Sequence, residues 1–120
     1  MKLAVTSTGS DMDSTSDGKF GRCSYFVIVD TESKEHDSIE NASKTARGGA
    51  GVQAAETLAN AGADAVATGN VGPNAFEALD AAGVEIYTGA SGTVEEVVEA
   101  FENGNLTRAN EPTTAGGRGK

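Results

Sequence analysis

Residue types with distinctive side-chain chemistry are scarce in this chain. Its 120 residues include one cysteine, one histidine, two prolines, no tryptophan, four phenylalanines and two tyrosines. A single cysteine excludes an internal disulfide framework and a zinc site built from cysteines alone. The apolar share of 38% comes mainly from alanine and valine, which predicts a core of closely packed small residues.

Long hydrophobic runs are also missing. No apolar stretch approaches the roughly 20 residues that a membrane-spanning helix needs. The first residues, Met1–Val5, are followed at once by polar residues, which is not the pattern of a signal peptide. We therefore expect a cytoplasmic protein that does not associate with membranes.

Basic residues are few, with 9 lysines and arginines against 18 acidic residues and a net charge of -9. A field of this sign repels phosphate backbones, so nucleic acid is not an expected partner. Solubility, with some adaptation to salt, explains the acidity without any specific partner. An anionic ligand would have to be held by local cations and backbone N–H groups.

Hydrophobic periodicity predicts a single α/β domain over residues 1–105, followed by a disordered tail over residues 106–120. Thr93 and Glu96 fit a capping box at the start of the last helix. Three helices are predicted, beginning near Val52, Pro73 and Val94. Five strands are predicted: Lys2–Thr6, Tyr25–Thr31, His36–Ile39, Ala63–Thr68 and Val84–Thr88. A hairpin followed by two βα units gives a mixed five-stranded sheet, and this order resembles the ribonuclease-H-like topology.

A Thr-Gly pair follows three of the predicted strands, as Thr8–Gly9, Thr68–Gly69 and Thr88–Gly89. If these strands are parallel, the three corners meet at the carboxyl edge of the sheet, where open α/β sheets bind ligands. Glycine there exposes backbone N–H groups, and helix N-termini favour anions. The alternative is that these turns need glycine for their geometry alone, and the sequence leaves both explanations open.

The stretch from Gly18 to Tyr25 concentrates more polar chemistry than any other. It places Lys19, Arg22 and the only cysteine, Cys23, in a loop that leads into a strongly apolar strand. Two cations beside flexible glycines suit an anion, and Arg47 is a candidate third cation. A lone cysteine beside a strand is, however, more often a small packed core residue than a reactive group.

Several catalytic classes lack their residues. The first and fourth predicted strands carry no carboxylate to hold the metal of a nuclease. Cys23 would need His36 as its base; the hairpin could bring the two together, although a histidine on a polar edge strand is more typical of a solvated side chain. Gly48–Gly51 lacks the Lys-Ser/Thr of a P-loop, and Asp11 and Asp13 lack the rest of a calcium loop.

Taken in order, several segments resemble the dinitrogenase iron–molybdenum cofactor biosynthesis family, in its NifX-like group. The likeness runs from Met1 to about Leu106. It rests on Phe20-Gly21-Arg22, the strand Tyr25–Asp30, the glycine-rich Gly48–Gly51 and the turn Thr68–Ala75.

This resemblance implies a ribonuclease-H-like fold and a non-enzymatic carrier of an anionic iron–sulfur or iron–molybdenum–sulfur cluster. It also implies cofactor-assembly or acceptor proteins as partners, and a monomer or weak dimer. Cofactor-carrying members have a histidine before the Phe-Gly pair, where this chain has Lys19. Cys23 is then the candidate thiolate ligand of a metal, with a pKa lowered by Lys19 and Arg22. The predicted cofactor-binding residues are Lys19, Phe20, Gly21, Arg22, Cys23, Thr8, Gly9, Gly49, Gly69, Asn70, Gly72 and Gly89.

Two other functions compete with the carrier. One is a protein–protein adaptor of the same fold that has lost cluster binding. The other is a small enzyme that acts on a phosphate or carboxylate at the glycine corners.

Overall fold

The computed structural model describes residues 1–42 and 49–113. In these residues a mixed sheet of six strands forms the centre, and three helices pack on its two faces. The strands are β1 Lys2–Ser7, β2 Tyr25–Asp30, β3 His36–Glu40, β4 Ala65–Ala67, β5 Glu85–Thr88 and β6 Thr107–Arg108. The helices are α1 Ala50–Asn60, α2 Pro73–Ala81 and α3 Val94–Glu102.

The strand order across the sheet is β3-β2-β1-β4-β5-β6. The hairpin β2–β3 and the pair β1–β2 are antiparallel, whereas β1, β4 and β5 run parallel to one another. The predicted mixed α/β sheet is therefore confirmed, with its hairpin and its parallel units. The likeness to ribonuclease H stays a prediction.

The predicted number of five strands is wrong, because β6 pairs antiparallel with the end of β5. This strand lies within the segment that the sequence predicted to be a disordered tail. It has only two residues, both exposed, so it produces no hydrophobic pattern. Backbone pairing holds it, and the Arg108 guanidinium lies 5.8 Å from the centre of the Tyr87 ring.

The side chains of β1 point alternately to the two faces of the sheet, so part of the core lies on each face. On one face Ala4 lies among residues of α1 and α2. On the other, Leu3 and Val5 lie against Val94, Val97 and Val98 of α3. The predicted core of small residues explains the close helix packing, since a β-carbon on Gly51 of α1 would lie 2.8 Å from the β-carbon of Ala75 in α2.

The helix starts differ in how they are capped. Thr93 and Glu96 form the predicted capping box at α3, with both reciprocal hydrogen bonds present. The caps of α1 and α2 are Gly49 and Gly72, which have no side chain to accept from the first N–H groups. None of the described helices is both long and apolar enough to cross a membrane.

Candidate functional site

The loop that joins β1 to β2 crosses the carboxyl edge of the sheet, where β1, β4 and β5 end. Two of its residues anchor it in the core on the side of α1 and α2: Phe20 is 3% exposed and Cys23 is completely buried. The Phe20 ring lies 5.8 Å from that of Phe26, at 48° to it. Phe20, a predicted cofactor-binding residue, is therefore part of the core and holds the loop in place.

The prediction that neighbouring cations lower the pKa of Cys23 is wrong. Burial raises the pKa of this thiol to about 12, and the nearby Asp17 carboxylate acts in the same direction. Hydrogen bonds from the Ser7 backbone and the Asn41 amide oppose this rise but are weaker. A buried, protonated thiol is a poor metal ligand, so the position of Cys23 argues against its predicted role as one.

A residue that the sequence did not single out, Asn41, fixes the shape of this loop. Its side-chain amide, which is buried, donates to the carbonyl oxygens of Gly21 at 3.2 Å and Cys23 at 2.8 Å. Its backbone N–H donates to the Ser24 carbonyl at 2.9 Å. The only signal was a single Asn directly after an edge strand, which also describes an ordinary turn residue.

Lys19 lies beside the turn that follows β4. Lys19 and Asn70 form a parallel bridge, and the Asn70 N–H donates to the Gly18 carbonyl at 2.9 Å. Gly18 and Gly69 touch through their backbones. The exposed Lys19 side chain therefore starts at the rim of the glycine turn.

The next residues of the loop cover the start of α1. A β-carbon on Gly21 would lie 3.0 Å from the Gly51 nitrogen, so a larger residue here would press on the backbone of α1. Gly49, the α1 cap, has a φ of 71°, in the left-handed region that favours glycine. Arg22 follows as an exposed side chain. The structure thus brings Gly21 and Arg22 next to the N-terminus of α1.

Two helices start near this loop, and both N-termini suit an anion. Neither α1 nor α2 has an acidic residue in its first turn, and both start at a glycine cap. In contrast, the first turn of α3 contains Glu95 and Glu96. Since helix N-termini carry partial positive charge, the starts of α1 and α2 offer positive potential that α3 has already neutralised.

The other two predicted Thr-Gly corners, Thr8–Gly9 and Thr88–Gly89, make contacts with other parts of the molecule. Thr8 and Gly9 fold back on Ser14 and Thr15, and the Ser16 N–H donates to the Gly92 carbonyl at 2.8 Å. This segment is therefore bound to the start of α3. Gly89 follows β5 with a φ of 89°, and its neighbour Ala90 contacts the Thr68 carbonyl. Of the three corners, only Gly69–Gly72 makes backbone contact with Gly18 and Lys19 among the described residues.

The pairing of Cys23 with His36 is ruled out by the hairpin register. His36 lies opposite Val29, six residues along the chain from Cys23. At about 3.3 Å per residue, the separation is roughly 20 Å. Arg47, the third predicted cation, lies outside the described residues. Within the described part of the chain, no three His, Cys, Asp or Glu side chains come together as a metal site.

Comparison with known proteins identifies the family. The model of the dinitrogenase iron–molybdenum cofactor family matches residues 1–104. The chain belongs to this family. An uncharacterised protein of Methanocaldococcus jannaschii is 32% identical over 92 residues, which cover 74% of this chain and 78% of that protein.

Solved structures of similar proteins extend the comparison to the fold. The apo form of the orange protein from Desulfovibrio gigas has a TM-score of 0.92 and 39% identity, covering 94% of this chain and 96% of its own. A protein from Thermotoga described as a putative NifB protein of the DUF35 family has a TM-score of 0.83 and 38% identity. That match covers 96% of this chain and 98% of the other.

Within this member of the dinitrogenase iron–molybdenum cofactor family, the matched span contains the whole candidate site. Lys19, Arg22, Asn41 and the turn Gly69–Gly72 all lie inside residues 1–104. The strand β6 lies beyond it, so β6 is an addition to the part of the chain that the family model describes.

Proposed function

We propose that this chain is a non-enzymatic carrier of an anionic molybdenum- or iron-containing sulfur cluster. The cluster lies at the carboxyl edge of the sheet, between the Lys19–Arg22 segment and the turn Gly69–Gly72. The observation that carries the proposal is the bridge between Lys19 and Asn70, which puts a cation at the rim of a glycine turn that opens α2.

The donors at this edge fit an anion held without covalent ligation. Sulfides of a cluster accept hydrogen bonds from backbone N–H and ammonium groups, and the cluster charge is favoured at helix N-termini. The buried Cys23 thiol does not fit a thiolate-ligated cluster. Because the chain has a net charge of -9, the local cations Lys19 and Arg22 must supply the attraction that the whole molecule lacks.

The family name and one similar protein support a cluster as the cargo. The family is named for the iron–molybdenum cofactor of dinitrogenase. The orange protein of Desulfovibrio gigas was solved as an apo form. Carriage requires reversible binding, and an open edge that makes hydrogen bonds is better suited to release than a set of thiolate bonds.

The test is anaerobic reconstitution with iron, molybdate or thiomolybdate, and sulfide, followed by gel filtration and a visible absorption spectrum. We expect protein-bound colour. Lys19→Ala should lower the affinity for the cluster about tenfold, because one charged hydrogen bond is lost. Lys19→Glu should weaken it further. Lys2→Ala is the matched control, since Lys2 begins β1 at the opposite edge of the sheet.

Two results would contradict the proposal. One is a colourless protein under every reconstitution condition. The other is equal loss of colour in Lys2→Ala and Lys19→Ala, since this would reflect overall charge and not the carboxyl edge. Cys23→Ala should keep the colour, because the thiol is not among the proposed contacts.

A further inference from the structure

The strand β3 is at one edge of the sheet and pairs with β2 on one side only. All its residues are exposed except Ile39, which is half-buried. No segment within residues 1–42 and 49–113 pairs with its outer side. An edge of this kind presents backbone N–H and C=O groups that can form hydrogen bonds with another strand.

The hairpin fixes which residues have these outward groups. At one end of the hairpin the Asp30 N–H donates to the Glu35 carbonyl, and at the other the Asn41 N–H donates to the Ser24 carbonyl, each at 2.9 Å, so both positions belong to the hydrogen-bonded set of the ladder. Such pairs alternate along an antiparallel ladder. Asp37 and Ile39, opposite Ile28 and Phe26, therefore direct their backbone groups toward β2. His36, Ser38 and Glu40 direct theirs away from the sheet.

A cavity of about 510 Å³ lies beside this edge. Ile28 and Ile39 line it together with Ala61, the C-cap residue of α1. The cavity is also lined by three carboxylates, from Asp30, Glu35 and Asp37, which outnumber its one lysine, Lys2; His36 is part of the lining as well. The Asp30 carboxylate accepts from the N–H groups of Glu32 and Ser33, which hold its pKa below the ordinary value, so it stays charged at neutral pH.

These features select the chemistry of an occupant. The carboxylates, and the negative carbonyl end of α1 at Ala61, attract lysine and arginine. The two isoleucines offer apolar contact to a strand that alternates basic and aliphatic residues. A second copy of this chain is a poorer match because each copy has a net charge of -9, so two copies repel each other.

We propose that β3 is the docking edge for an extended basic segment of a partner protein. The segment adds as a seventh strand beside His36, Ser38 and Glu40, and its cations contact Glu35 and Asp37. This is strand addition to a sheet edge, in which backbone hydrogen bonds give affinity and side-chain contacts give selectivity. The inference does not depend on the cluster, since Lys19 is at the carboxyl edge and β3 lies at the side of the sheet.

The test uses the full chain and a fluorescent eight-residue peptide that alternates lysine with valine. The first control is the same peptide with methylated backbone amides, which keeps every charge and removes the strand's donors. We expect the plain peptide to bind and to shift the NMR signals of the His36, Ser38 and Glu40 amides. The methylated peptide should bind at least about tenfold more weakly, which is the effect of losing one or two backbone hydrogen bonds.

Variants of the chain separate the contribution of backbone hydrogen bonds to peptide binding from that of charge. Ser38→Pro removes an outward N–H and leaves the bonds to β2 intact, so we expect about tenfold weaker binding of the plain peptide. Ser38→Ala keeps the N–H and should bind like the parent. The double variant Glu35→Gln with Asp37→Asn should weaken binding several-fold and flatten its dependence on salt.

The proposal is overturned if the methylated peptide binds as well as the plain one, since attraction would then be a matter of charge alone. It is also overturned if the parent sediments as a dimer that Ser38→Pro converts to a monomer, because a second copy would then occupy the edge. Should Ser38→Pro fail to fold, the affinities of the plain and methylated peptides for the parent chain still show whether backbone hydrogen bonds contribute to binding.

Discussion

Gly69 and Gly18 are in contact at the centre of the candidate site, and the contact is tight on one side only. A β-carbon on Gly69 would lie 2.7 Å from the Gly18 α-carbon and 2.9 Å from its carbonyl oxygen. A β-carbon on Gly18 would lie 4.0 Å from the nearest atom of Gly69. Backbone on both sides leaves no flexible side chain to move aside.

Gly69→Ala should therefore displace the Lys19 loop, whereas Gly18→Ala should be tolerated. We expect Gly69→Ala to lower the free energy of unfolding by about 1–3 kcal/mol, the usual cost of overpacking, and to weaken cluster binding as well. Urea unfolding and reconstitution of both variants check this. Equal stability of the two variants would show that the loop yields without cost.

Cys23 illustrates how packing reverses the chemistry predicted for one side chain. In the sequence it stands beside Lys19 and Arg22, which suggests a thiolate. In the fold it is completely buried between the sheet and α1, and the loss of water around it outweighs the nearby charges.

The raised pKa of Cys23 predicts a pH dependence. Between its ordinary pKa of 9.0 and about 12, the unfolded chain loses the thiol proton while the folded chain keeps it. Because the folded state then binds more protons, the free energy of unfolding should fall as the pH rises through this window, by up to about 1.4 kcal/mol per unit. The stability that burial of the neutral thiol contributes is fully present below pH 9.

The measurement is the difference in unfolding free energy between the parent and Cys23→Ala at several values of pH from 8 to 11. Subtracting the variant removes the lysines and tyrosines that titrate in the same range. A constant difference across the range would show that Cys23 titrates normally in the folded chain.

At the scale of elements, residues 107–113 form a strap that connects β5 to the turn after β4. One end pairs with β5, and the Ala109 N–H donates to the Ile86 carbonyl at 2.8 Å. At the other end the Val71 N–H donates to the Thr113 hydroxyl at 2.8 Å, and the Thr113 N–H donates to the Val71 carbonyl at 2.9 Å. Val71 belongs to the turn that faces Lys19, so the strap supports one wall of the candidate site.

Thr113→Val should loosen this wall, because valine keeps the shape of threonine and removes the oxygen that accepts from Val71. We expect the Val71 amide to exchange its hydrogen several-fold faster, in line with the loss of about 1 kcal/mol for one hydrogen bond. Native-state exchange followed by NMR measures it. Thr107→Val, an exposed change in the same strap, is the control. Similar exchange in both variants would show that the Thr113 hydroxyl does not hold Val71.

At the scale of the whole molecule, charge and topology act in opposite directions. The net charge of -9 repels an anionic cargo at a distance. The parallel arrangement of β1, β4 and β5 gathers glycine turns and two helix N-termini at one edge, where attraction is local. Lys19 and Arg22 are positioned there by the burial of Phe20 and Cys23 between and beside them.

Much of the architecture could be predicted from the chain because the signals are local. The capping box at Thr93, the apolar run of β2 and the Pro-led start of α2 each express a preference of a few neighbouring residues. The parallel corners followed from connectivity, since a strand–helix–strand unit returns in the same direction. The sixth strand escaped prediction because Thr107–Arg108 has no apolar pattern and exists only through its partner β5.

The sequence by itself determined the family, the order of the first eight elements and the position of the cationic loop along the chain. Only the tertiary structure decided which residues of that loop face outward. Phe20 and Cys23 become core and Lys19 becomes rim because burial depends on contacts with β2, α1 and the turn after β4, which are distant in sequence. Likewise, Asn41 acquired its role because hydrogen bonding to Gly21 and Cys23 requires the β2–β3 hairpin to bring it back beside them.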